Sequence, residues 1–186
     1  NIIHAGLLLL SSTFLLGGRC DDGGTPTPPD AGLYHTYAEI DRDLHQLGLD
    51  YAGLAQVSSI GRSIENRELW AIKISDAVNQ NENEPVIVLM GGHHAREWIS
   101  VDVPFLIAKH LLTQYNKDTL ITRLVNSAEI WVVPMVNPDG HQYSVTTQRL
   151  WRKNRRNNGD GTFGVDLNRN YGYQWGGPGS SGDTFS

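Results

Sequence analysis

The sequence predicts an α/β fold whose central sheet is at least partly parallel, and three stretches carry that expectation. Pro85-Val86-Ile87-Val88-Leu89-Met90 and Ile130-Trp131-Val132-Val133-Pro134-Met135-Val136 are continuous apolar runs, the pattern of strands covered on both faces. Between them Val101, Phe105, Leu106, Ile107, Leu111 and Leu112 recur at helical spacing over about four turns. Strand, helical crossover and strand is the unit from which parallel sheets are built.

In chain order, residues 1–20 read as a signal peptide. Ala5-Gly6-Leu7-Leu8-Leu9-Leu10 through Phe14-Leu15-Leu16 is an apolar core of leader length, followed by the small residues Gly17-Gly18. Initiating Met and basic n-region are both missing, as expected of an N-terminally incomplete leader. Cys20 resembles the lipidated cysteine of a bacterial lipoprotein cleavage box, although Arg19 occupies a position where that box has a small residue. Residues 21–33 are acidic and rich in Pro and Gly, too poor in apolar surface to order themselves, and read as a linker. The globular part covers 34–186. Export is therefore expected, to an extracellular or bacterial cell-envelope location, with Cys20 as a possible lipid anchor.

Thr36-Tyr37-Ala38-Glu39 is a capping box, and Ile40, Leu44 and Leu47 continue it as a helix over 37–47 that ends before Gly48. Ala55–Ile60 and Glu68–Ile74 alternate apolar and polar residues, as two strands joined through Gly61 to Asn66. Asn79 to Glu84 is a polar loop. A second helix is expected around Thr119 to Val125, and Asn137-Pro138-Asp139-Gly140 closes the last strand as a turn.

The 186 residues suit about one domain. A net charge of -5 argues against electrostatic nucleic-acid binding. No apolar run reaches the ~20 residues of a membrane span. One cysteine excludes an internal disulfide framework, and a monomer is expected.

The chemistry concentrates at Gly91-Gly92-His93-His94-Ala95-Arg96-Glu97-Trp98, where a strand empties at its carboxyl end, the edge at which open α/β sheets bind ligands. His94 and Glu97 are three apart and can face one point. An imidazole and a carboxylate so placed suit a catalytic Zn²⁺, which takes nitrogen and oxygen donors and keeps a position open for water. His93 lies next to His94 and on an extended segment points the other way, a structural position. His110 is about 20 Å along the following helix and cannot join. His141 matches no motif, and His4, His35 and His45 read as surface or targeting residues.

Downstream, Arg149-Leu150-Trp151-Arg152-Lys153-Asn154-Arg155-Arg156 holds five cations in eight residues. Most are expected to be solvated, Arg155 and Arg156 among them, with Lys153 a buttress and Trp98 and Trp151 packing residues. One or two arginines pointing inward would serve an anionic substrate or an oxyanion, because guanidinium is a fixed, permanently charged donor. Gly164-Val165-Asp166-Leu167-Asn168-Arg169-Asn170-Tyr171 adds an Arg beside amides, a set suited to clamping a carboxylate.

Together these segments resemble the zinc metallocarboxypeptidases, the relatives of pancreatic carboxypeptidases A and B. The shared motifs are Tyr34-His35-Thr36-Tyr37, Ile60-Gly61-Arg62-Ser63, His94-Ala95-Arg96-Glu97-Trp98-Ile99-Ser100, Asn137-Pro138-Asp139-Gly140, Arg149-Leu150-Trp151-Arg152-Lys153 and Asp166-Leu167-Asn168-Arg169-Asn170, in family order. The resemblance implies a three-layer α/β/α fold with a mixed, mostly parallel central sheet, like that of phosphorylase/hydrolase-type carboxypeptidases. It implies one Zn²⁺ held by His94 and Glu97, with Asp166 fixing the His94 tautomer and Arg152 stabilising the oxyanion. Asn168 and Arg169 would grip the C-terminal carboxylate of a peptide or protein substrate, and Arg96 would help bind the peptide.

The family's third zinc ligand, general base and specificity-pocket residue find no counterpart before Ser186. Gly176-Gly177-Pro178-Gly179-Ser180-Ser181-Gly182 resembles the family loop that precedes them. The expectation is thus a C-terminally truncated catalytic domain, inactive by itself, with an unpaired sheet edge. A zinc amidase or peptidoglycan endopeptidase of the same fold is the competing enzyme class. A non-catalytic binding module is the other reading. Asn168-Arg169 favours the exopeptidase over the first, and the retained ligand pair with Arg152 disfavours the second.

Overall fold

The computed structural model describes residues 32–173 and 175–176. The expected leader with Cys20, the linker up to residue 31 and the Gly/Ser loop beyond Gly176 lie outside the described residues. The elements are α1 (Tyr37–Asp50), β1 (Ala55–Arg62), β2 (Glu68–Ile74), β3 (Val86–Met90), α2 (Ile99–Gln114), α3 (Thr119–Val125), β4 (Glu129–Val133) and α4 (Pro138–Thr146), followed by a 3-10 turn at Leu167–Arg169. They form the expected α/β arrangement with a mixed sheet of order β1-β2-β4-β3. Among the described strands, two of the three pairings are antiparallel where a mostly parallel sheet was expected. β1 pairs β2 and β2 pairs β4 antiparallel, while β3 runs parallel to β4 with Val88 opposite Trp131.

Helix α1 begins as its capping box requires, Thr36 accepting from the Glu39 N–H and Glu39 accepting from the Thr36 N–H. It continues past Gly48 to Asp50, beyond the expected stop. Packing explains the glycine, because a Cβ at position 48 would come within 3.0 Å of Val57 Cγ2 on β1. Ile40, Leu44 and Leu47 bury one stripe of α1, each burial stabilising by roughly 1.5–3 kcal/mol. They join Ile72, Ile74, Ile130 and Val132 from one sheet face, and Val101, Phe105, Ala108, Leu111 and Leu112 from α2, in a single core. Pro104 lies inside α2, past its first turn, and lacking an N–H it leaves the Ser100 carbonyl without its helix donor.

Burial on both faces holds for β4 but not for β3. Strand β3 is the edge of the described sheet, paired only with β4. Ile87 and Leu89 pack on the core, while Val86, Val88 and Met90 point to the opposite face and are 59, 53 and 46 % exposed. The continuous apolar run is real, but among the described residues only one of its faces is covered.

Asn137-Pro138-Asp139-Gly140 is the first turn of α4, not a simple turn. Asn137 caps the helix by accepting from the Gly140 N–H, and Pro138 supplies the fixed φ suited to a first helical residue. Asp139, 3 % exposed, accepts from the Ser63 hydroxyl, the Glu65 N–H and the Arg67 guanidinium, docking α4 on the β1–β2 connection. On the same helix His141 is 2 % exposed against Trp98. Neither ring nitrogen finds a hydrogen-bond partner among the described residues. Burial pushes its pKa down to about 4, against a smaller opposing influence from Asp102.

Two outcomes follow from these features. Among the described residues strand β3 presents unpaired backbone groups beside exposed apolar side chains, the combination that drives edge-to-edge association. The 186-residue chain is expected to self-associate with rising concentration in sedimentation velocity, and Val88→Lys to suppress this without lowering Tm. His141 is neutral when folded and takes a proton near pH 6.5 when unfolded, so its contribution is complete above that pH and is lost as pH falls toward 4. Between pH 7 and pH 5 this amounts to about 2 kcal/mol. His141→Phe should flatten the pH dependence of Tm over that range, and an unchanged slope would contradict the assignment.

Candidate metal centre

The centre sits where β3 ends, and two glycines make it possible. At Gly91 a Cβ would lie 2.0 Å from the Ser100 carbonyl and 2.8 Å from Pro104, so only glycine lets the start of α2 cross the strand end. Gly92 has φ +65°, and a Cβ there would meet Val101 at 2.9 Å. The chain then bends through His93 and His94 into a turn closed by the Glu97 N–H on the His94 carbonyl at 3.1 Å. That turn sets His94 and Glu97 on one side, with His94 Nδ1 3.0 Å from Glu97 Oε1.

The other imidazole nitrogen is taken. His94 Nε2 lies 3.1 Å from Asp166 Oδ1, and Arg152 Nε donates to Asp166 Oδ2 at 2.9 Å. His94 and Asp166 are 8 and 2 % exposed. Burial by itself would raise the Asp166 carboxyl, but the Arg152 guanidinium and then His94 outweigh it and hold it below the usual carboxylate range. Asp166 also caps the 3-10 turn, accepting from the Asn168 N–H at 2.9 Å. Arg152 Nη1 stands 3.8 Å from Glu97 Oε1. Thus His94, Glu97, Arg152 and Asp166 form one cluster.

The donor chemistry fits zinc: an imidazole nitrogen and a carboxylate oxygen converge, and the opposite nitrogen is oriented by a buried carboxylate. A catalytic zinc commonly takes three protein donors; the described residues bring two here. The three-carboxylate group that does form, Asp76, Glu82 and Glu84, belongs to the β2–β3 connection at the other end of β3.

His94 and Glu97 open on a cleft of about 400 Å³ lined also by Met90, Gly92, Ser100 and Asn168. Arg96 and Arg169 are exposed, and no described contact joins their side chains to the cluster; the Arg169 guanidinium bonds the Asn168 carbonyl. His93 differs from its expected structural position. Because Gly92 breaks the strand, side chains no longer alternate, and His93 lines the same cleft with Nε2 bonded to the Tyr171 hydroxyl. The sequence offered no signal for Tyr171 beyond its place after the Asn-Arg pair. Arg155 is not solvated either. Its side chain is 15 % exposed, and its guanidinium stacks on Tyr143 at 3.7 Å, with Trp151 and Phe163 completing an aromatic cage. Trp98 packs as expected, 3 % exposed with Arg149 over its ring and its indole N–H on Ser144.

A family profile described as zinc carboxypeptidase matches residues 40–186. A zinc carboxypeptidase of Saccharothrix mutabilis subsp. capreolus is 43 % identical over 145 residues, 77 % of this chain and 33 % of that protein. Carboxypeptidase A2 of Rattus norvegicus is 39 % identical over 149 residues, 80 % of this chain and 35 % of that protein. Among solved structures, carboxypeptidase A from Helicoverpa armigera superposes with a TM-score of 0.72 at 33 % identity, covering 82 % of this chain and 37 % of that one. The chain thus spans about a third of the length of the curated relatives it matches. With the profile covering most of its residues, the chain belongs to the zinc carboxypeptidase family.

Proposed function

We propose that this chain carries the N-terminal portion of a zinc carboxypeptidase active site, which removes the C-terminal residue of peptides or proteins by metal-assisted hydrolysis. One observation supports this above the others: a single buried carboxylate, Asp166, orients His94 through Nε2 and Arg152 through Nε. A metal ligand and an anion-stabilising group are thereby held in one frame.

In this reading His94 Nδ1 and Glu97 hold a single zinc ion, whose chemistry when bound is to activate water at neutral pH and polarise the scissile carbonyl. Asp166 keeps the His94 tautomer that leaves Nδ1 as the donor. With its Nε committed to Asp166, Arg152 has its terminal nitrogens for the developing oxyanion. Asn168 and Arg169 lie on the 3-10 turn that Asp166 caps, and grip the substrate's free carboxylate, which restricts cleavage to chain ends. Arg96, exposed beside Glu97, binds the peptide farther out. Residues 1–20 direct export, with Cys20 as the anchor in a lipoprotein form.

Two measurements test this. By calorimetry the 186-residue chain is expected to bind Zn²⁺ only weakly, with His94→Ala and Glu97→Gln each removing the heat of binding. Tight stoichiometric binding would overturn the two-donor assignment. A chain extended to the length of the relatives should release the terminal residue of N-blocked dipeptides, a reaction stopped by chelator. In that chain Arg152→Ala should lower kcat by ~10²–10³. No chelator-sensitive release would sink the reading.

A further inference from the structure

Asn137 touches none of the residues assigned a chemical role, yet it is 2 % exposed and every polar atom of its side chain is engaged. Its Oδ1 accepts from the Gly140 N–H at 3.0 Å, which fixes the orientation of the amide. Nδ2 then donates to two backbone carbonyls, His93 at 3.0 Å and Lys153 at 3.1 Å. One belongs to the residue before His94, the other to the residue after Arg152. We propose that Asn137 is a positioning residue, whose amide sets the separation between the turn that carries His94 and Glu97 and the segment that carries Arg152. This rests on the reading of those three as working residues.

The chemistry selects a primary amide. Two carbonyl oxygens converge on one buried point, and an unpaired buried acceptor is costly. Only a group with two donor hydrogens and a separate acceptor can satisfy both carbonyls and the helix cap together. Serine or aspartate would supply the cap alone. The surroundings leave no slack: at Gly140 a Cβ would lie 2.4 Å from the Lys153 carbonyl and 2.5 Å from Asn137 Nδ2. The Ala95 N–H on the Arg152 carbonyl, 3.0 Å, ties the same two segments through backbone. The Asn137 side chain spans them from the other strand end, anchored through its own N–H on the Gly92 carbonyl at 3.1 Å.

The test is nitrogen NMR on the 186-residue chain, which needs no metal. In Asn137→Ser, which keeps a capping oxygen, the Arg152 Nε–H resonance and the His94 ring nitrogens should move toward their free side-chain positions. Amides of α1 and the sheet should stay in place. Thr36→Ala, which removes the α1 cap, serves as the control for general destabilisation and should leave both site signals unmoved. Unchanged Arg152 and His94 signals in Asn137→Ser would overturn the proposal. So would the absence, in the wild-type chain, of through-hydrogen-bond couplings from Asn137 Nδ2 to the His93 and Lys153 carbonyls, a readout that stands even where the variant does not fold. Where the wild type binds Zn²⁺, the variant's Kd should rise ~10-fold or more. Absence of chelator-sensitive release by the extended chain counts against the functional reading, while the nitrogen spectra still decide the role of Asn137.

Discussion

The structure depends on the burial of one negative charge. Asp166 is almost fully enclosed, and an isolated carboxylate in that position would be too costly to keep ionised. It stays charged because Arg152 neutralises one oxygen and His94 engages the other. The two partners arrive from opposite directions, His94 from 72 residues earlier at the end of β3 and Arg152 from the segment after α4. Losing either would leave a buried charge half-compensated, which is why the three side chains act as one unit rather than as separate contacts.

Bringing them together requires close backbone approach, and the surrounding sequence is devoted to it. Gly91 and Gly92 remove the side chains that would hold α2 away from the strand end, and Gly140 does the same for the Lys153 carbonyl on α4. Asp139 moors α4 to the β1–β2 connection through three donors. The caged Arg155 fastens the segment three residues beyond Arg152 onto Tyr143 of α4. The rigidity of the cluster thus comes from a periphery of well-satisfied polar groups as much as from the apolar core.

Much of this was legible in the residues alone, for physical reasons that differ by element. The capping box at Thr36 and Glu39, the hairpin of β1 and β2, and the crossover helix α2 rest on local rules, and local rules are readable. The pairing of His94 with Glu97 was legible because spacing along a turn fixes direction. What failed depended on tertiary context. Gly48 looked like a stop but is a packing residue against Val57. The cover of β3 is set by neighbouring elements, not by its own apolarity. Asn137-Pro138-Asp139-Gly140 has turn composition, and α4 has too few apolar residues for periodicity to show it. His93 was misjudged because alternation was extended past a glycine with positive φ. Arg155 was misjudged because charge was taken as a sign of solvent, while three aromatic rings from separate stretches enclose it.

The parallel pairing of β3 with β4 has a consequence for the order in which the molecule comes together. The β1–β2 hairpin closes over a short loop, whereas pairing β3 with β4 must close the whole stretch that α2 and α3 occupy. Such long-range pairing is slow, because loop-closure entropy must be spent before any contact is gained. The Asp166 cluster draws on the turn after β3, the segment after α4 and the cap of the 3-10 turn, with His94 reaching Asp166 across 72 residues. By topology, the cluster is expected to consolidate late in folding.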